Sequence, residues 1–147
     1  MSHTTTSQSH VQWDCVYHIV IVPKYRKKQL FGQVRQRTGQ IIRELLKQKH
    51  IEMIEGTIKP DHIHMVLRIP PRFSVANVMG FLKGKTAIRL HNEFSNRKSV
   101  TQKSFWARGY FVRTIGLDQQ MVEEYVRRQY EEDKCQDNNP QLDFSWN

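Results

Sequence analysis

Cysteine is nearly absent from this 147-residue chain, and what there is follows no structural pattern. Cys15 and Cys135 lie far apart with no CxxC spacing, so neither a disulfide framework nor a zinc motif is written here. Long apolar runs are missing too; none approaches the ~20 residues of a membrane span. Met1 to His10 is polar and lacks the apolar segment of a secretory signal, which leads to the expectation of a cytoplasmic protein with no membrane partner. Internal repeats, low-complexity blocks and domain linkers are also lacking. Acidic side chains are the minority charge: 14 Asp+Glu against 23 Lys+Arg leave a net +9 and a pI of about 9.8. Such an excess favours a polyanionic partner, most often nucleic acid. The hydrophobic share of 38% and charged share of 25% belong to a soluble globular chain, and the length suffices for one domain with a real core.

The apolar pattern predicts alternating strands and helices. Trp13 to Pro23 reads as a strand in which Val16, His18, Val20 and Val22 alternate with Cys15, Tyr17, Ile19 and Ile21. Apolar residues on both faces imply a sheet covered, in part, on both sides. Val34, Thr38, Ile41, Ile42, Leu45 and Leu46 fall at helical spacing up to about Lys49. Ile51–Ile58 and Ile63–Ile69 form the next two strands, joined through Lys59-Pro60-Asp61 as a hairpin. Ser74 is a plausible N-cap for a second helix with the stripe Val75, Val78, Met79 and Leu82. After a polar loop from Asn92 to Lys103, Tyr110–Ile115 reads as a fourth strand. Asp118 then caps a third helix ending about Asp133. The first six elements follow the split βαβ, ferredoxin-like order. The expected fold is therefore α+β: an antiparallel sheet with helices on one face and an extra C-terminal helix. The expected layout is a flexible tail over residues 1–12, one domain over 13–134 and a second tail over 135–147.

Chemistry concentrates at His62-Ile63-His64. Residues two apart in a strand share a face, so both imidazoles project together. The pair reads either as packing or as half of a metal site. Two histidines do not complete a zinc site, whereas an added oxygen donor would suit Mg²⁺ or Mn²⁺ acting on phosphate. Gln129 offers such an oxygen through its amide carbonyl. Tyr125, four residues earlier, shares its helical face and is the candidate nucleophile, though an aromatic on a buried stripe has the same pattern. Tyr130 lies about 100° round the helix from Gln129, off that face. Lys24, Arg26, Lys27 and Lys28 form one basic cluster, and Lys83, Lys85 and Arg89 another. Arg108 and Arg113 interleave with Phe105, Trp106, Tyr110 and Phe111. Cations of this kind bind phosphates, and aromatic faces stack unpaired bases; each cluster alone also reads as a solvated face.

Five motifs in order carry a resemblance over about Tyr17 to Lys134. They are Tyr17-His18-Ile19-Val20 with Pro23-Lys24-Tyr25-Arg26, Lys59-Pro60-Asp61-His62-Ile63-His64-Met65, Phe81-Leu82-Lys83-Gly84-Lys85, Ser104-Phe105-Trp106-Ala107-Arg108-Gly109-Tyr110, and Glu124-Tyr125-Val126-Arg127-Arg128-Gln129. Together they resemble the single-tyrosine HUH transposases of the insertion sequence 200/605 group, bacterial and archaeal enzymes that move as single-stranded DNA. The resemblance implies that His62 and His64 bind the metal, that Gln129 is its third protein ligand and that Tyr125 is the nucleophile. It also implies single-stranded DNA with hairpin ends as substrate, and a homodimer in which the tyrosine helix of one subunit can complete the metal site of the other. Two alternatives stand beside it. One is a non-catalytic ferredoxin-like module that binds single-stranded nucleic acid on its sheet. The other is a domesticated relative that processes repeated palindromes.

Overall fold

The computed structural model describes residues 6–8, 11–94, 105–115, 124–128 and 130–132. Thr6–Gln8 (β1) and Val11–Trp13 (β2) pair antiparallel as a small sheet of their own. Residues expected to belong only to an N-terminal tail thus include two paired strands. The long first strand expected from Trp13 is also broken at Asp14-Cys15. Its main part is Val16–Ile21 (β3).

Gly32–Gln48 forms helix α1, and its buried residues are the six of the predicted stripe: Val34, Thr38, Ile41, Ile42, Leu45 and Leu46. Glu52–Lys59 (β4) and His62–Arg68 (β5) form the hairpin, with Lys59 opposite His62 and only Pro60-Asp61 between them. Proline presets the φ that such a turn needs. The turn is held from outside by the Leu30 amide, which donates to the Pro60 carbonyl at 3.0 Å. Val75–Glu93 (α2) begins at Ser74, whose hydroxyl accepts the Asn77 amide at 3.0 Å. Phe111–Ile115 (β6) is the last strand described. Residues 124–128 and 130–132 are helical. The expected cap at Asp118 and the tail over 135–147 lie outside the described residues.

Four strands make one antiparallel sheet in the order β4-β5-β3-β6. The two central strands are neighbours in space although α1 and β4 separate them in sequence, as the split βαβ arrangement requires. Alternation then sorts their side chains. Ile19, Ile21, Ile63, Met65 and Leu67 join α1 and α2 in the main core. Val16, His18, Val20, His62, His64 and Val66 point the other way. On that second face Val16, Val66 and Ile115 form a smaller cluster, against which Tyr125 and Val126 of the C-terminal helical residues pack. Both sides of the central strands are therefore covered, which is why every residue of β5 except Arg68 is buried.

Candidate active site

The hairpin turn builds the first half of the site. His62 and His64 share one face of β5, each 8% exposed, with ring centroids 4.7 Å apart. Asp61, last residue of the turn, accepts from His62 Nδ1 at 2.7 Å and from Arg26 Nη2 at 3.1 Å. A carboxylate on Nδ1 puts the imidazole proton there and leaves the lone pair on Nε2. Metal-binding histidines are oriented by this second contact. Burial acts to raise the pKa of Asp61, but the His62 hydrogen bond, the His62 charge and Arg26 outweigh it and hold the carboxyl below its ordinary range.

His18 supplies the second half. It is 3% exposed on β3 and its Nε2 lies 3.0 Å from His64 Nδ1 across 46 residues of sequence, the ring planes within 7° of parallel. Its other nitrogen, Nδ1, lies 2.6 Å from the Tyr125 hydroxyl, 107 residues away. A continuous line of hydrogen bonds therefore runs from Tyr125 through His18 to His64. Burial raises the Tyr125 pKa above its ordinary value; Arg113, by charge and a hydrogen bond, and Arg128 oppose that rise, while Glu132 adds to it. Arg113 reaches Tyr125 because it pairs with His18 across β3 and β6, and paired residues share a face.

The Nε2 atoms of His62 and His64 are both fully buried, and their Nδ1 atoms are engaged by Asp61 and His18. Two nitrogens presented in this way fit a divalent metal. Among the described residues no group of three His, Cys, Asp or Glu side chains is disposed to hold one. Gln129, the expected amide ligand, lies outside the described residues.

The predicted cations divide among several tasks. Arg26 serves Asp61, and Arg113 serves Tyr125. Lys83 is half-buried and donates to the carbonyls of Ala107 and Gly109, both at 2.8 Å; burial lowers its pKa. Arg89 pairs with Glu44 of α1 at 2.5 Å, bracing the two helices, and Lys85 is exposed on α2. That helix packs on the opposite face of the sheet, so its cluster is not gathered at the histidines. Lys24 is half-buried; Lys27, Lys28 and Arg108 are exposed. Sequence reasoning missed His18 and Asp61 as site residues. The available signals were a histidine on an otherwise apolar strand face and an acid directly before His62.

The family model described as "Transposase IS200 like" matches residues 11–129. The chain belongs to the IS200-like transposase family. It is 42% identical over 129 residues to the transposase for insertion sequence element IS200 of Salmonella typhimurium, covering 87% of this chain and 85% of that one. With the ISDra2 transposase TnpA of Deinococcus radiodurans it shares 25% identity over 119 residues, 80% of this chain and 85% of the relative. Among solved structures, a transposase-like protein of Deinococcus radiodurans R1 superposes with a TM-score of 0.68 at 23% identity, covering 86% of this chain and 98% of the other. A REP-associated tyrosine transposase bound to a REP hairpin gives 0.59 at 13% identity, over 82% and 68%. The two structures support the ferredoxin-like fold of this transposase. Among the described residues no helix is long and apolar enough to cross a membrane.

Proposed function

We propose that this transposase cleaves and rejoins single-stranded DNA at the ends of an insertion sequence, with Tyr125 as nucleophile and a 5′-phosphotyrosine intermediate. One observation carries the reading: the Tyr125 hydroxyl is 2.6 Å from a histidine that is itself 3.0 Å from His64. A phenol of ordinary pKa about 10 is a weak nucleophile and needs such neighbours.

His62 and His64, with Gln129, would hold Mg²⁺ or Mn²⁺, and polarisation of the scissile phosphate is the chemistry such an ion supplies when bound. The histidine line constrains where protons sit. With His64 Nε2 committed as a ligand atom, its proton is on Nδ1 and is donated to His18 Nε2. His18 then presents Nδ1–H to the Tyr125 oxygen and offsets the negative charge that this oxygen carries during attack, once its proton has passed to solvent, with Arg113 adding positive charge. The Tyr125 oxygen bonds to phosphorus and the bond from phosphorus to the 3′ oxygen breaks; that oxygen leaves as a 3′-hydroxyl, taking from solvent the equivalent of the proton the phenol gave up. A second 3′-hydroxyl reverses the exchange on another strand, so joining needs no ATP. The reading includes a homodimer, in which the tyrosine helix of one subunit can serve the histidines of the other. It also includes recognition of hairpin ends, with the exposed Lys27 and Lys28 available for phosphate contacts.

The test is incubation with single-stranded DNA flanking the gene, plus Mg²⁺, followed by a denaturing gel. A covalent protein–DNA band is expected, absent with Tyr125→Phe while hairpin binding is largely kept. A full-strength band from that variant overturns the assignment.

A further inference from the structure

A cavity of about 260 Å³ lies between the end of β3 with the turn after it and the segment leading into β6, and the cleavage chemistry above makes no use of it. Its floor is Val20 and Val22; Tyr25, Arg26, Arg108 and Tyr110 form its walls. Two independent links tie it to the site. Val20 is the cross-strand partner of His64, so floor and ligand share a face. Arg26 belongs to the wall and also donates to the Asp61 carboxylate that orients His62.

The walls are held firmly. The Lys24 amide donates to the Phe105 carbonyl and the Ala107 amide to the Val22 carbonyl, both at 2.9 Å. Lys83 clamps the carbonyls of Ala107 and Gly109. Tyr25 and Arg26 are consecutive non-glycine residues with left-handed φ of 61° and 48°, a backbone state that costs energy and concentrates at functional sites. The strained turn leaves the Tyr25 ring 76% exposed, with Lys24 Nζ 5.4 Å from its centroid. Exposing an aromatic beside arginines is unfavourable for folding alone. It suits a ligand that is flat, apolar on its faces and anionic at one edge.

We propose that this cavity receives one unstacked base of the DNA strand beside the phosphate at His62 and His64. The base stacks on Tyr25 or Tyr110, and Arg108 meets a neighbouring phosphate. Pockets for drug-sized ligands run from about 300 Å³ upward, so this smaller one suits a single base. Bases of a duplex are already stacked and paired and must be flipped out to enter, a cost that an unpaired base avoids, so the site favours single strands. The inference rests on the reading of the chain as an enzyme acting on single-stranded DNA.

The full chain would be irradiated with short single-stranded oligonucleotides of mixed sequence carrying 5-iododeoxyuridine, and crosslinked peptides mapped by mass spectrometry. Crosslinks at Tyr25 or Tyr110 are expected. Loss of one base stack corresponds to about fivefold or more in affinity, so Tyr25→Asn or Tyr110→Ala should weaken binding by at least that factor in fluorescence anisotropy. Asn tolerates the left-handed backbone, and thermal melting of each variant checks its fold. Crosslinks confined to residues outside the cavity, or wild-type binding by both variants, overturn the proposal. If wild-type protein still forms the covalent adduct, the cavity alone is rejected; if it neither binds nor reacts, both readings fall.

Discussion

The two faces of the sheet are built from alternate residues of the same strands, yet they are held by different forces. On the helix face, Ile19, Ile21, Ile63, Met65 and Leu67 meet the stripes of α1 and α2 in an apolar core. On the other face, His18, His62 and His64 are also buried but depend on hydrogen bonds to Asp61, Tyr125 and one another. Apolar burial is non-directional and scales with area, whereas buried polar groups need partners at set distances. One face can therefore supply stability while the other supplies a geometry.

That division is open to direct attack. The largest expected effect is on activity: His64→Ala should abolish DNA cleavage at ordinary Mg²⁺ concentrations while the protein still folds, checked by adduct yield beside circular dichroism. Unchanged turnover would remove His64 from the site. Next comes stability. Leu67→Ala, at a fully buried position of the same strand but on the helix face, should cost about 2–5 kcal/mol. Denaturant unfolding measures the loss, and adduct yield per folded molecule should stay near wild type. A variant equally stable but inactive would show that the faces are not separable. The smallest effect is in titration. The fold favours the neutral phenol of Tyr125, so stability linked to it is present below pH about 10 and lost as pH rises through the raised pKa. An ultraviolet difference titration of wild type against Tyr125→Phe should show a tyrosine ionising above 10. A difference curve centred below 10 would mean that Arg113 and Arg128 dominate over burial.

Much of the frame was legible in the chain. The α1 stripe, the Ser74 cap and the Pro60-Asp61 turn are set by contacts within a few residues, and each stands where the pattern put it. The same holds for the shared face of His62 and His64, since alternation in a strand needs no tertiary information. The start of the chain was less legible: Thr6–Gln8 and Val11–Trp13 are only three residues each, too short to show a period, and pairing makes them strands. Among the site residues, His18 was visible only as a member of an alternating run. The basic clusters read as sets, but the structure separates their members: Arg26 bonds Asp61, Lys83 bonds backbone carbonyls, and Arg89 bonds Glu44. Charge in a sequence does not say which face a long side chain will reach.

By itself the sequence determined the order of the elements that form the main sheet and its two helices, the apolar stripes, the common direction of His62 and His64, and membership of a transposase family. Backbone geometry repeats every two or 3.6 residues, and those repeats are local. Only the tertiary structure decided that β3 lies between β5 and β6, which sets His18 beside both His64 and Arg113. It also decided that Tyr125 closes over that histidine from 107 residues away. Register and packing of distant segments arise from the whole core, so the line from nucleophile to histidine pair exists only once the sheet has formed.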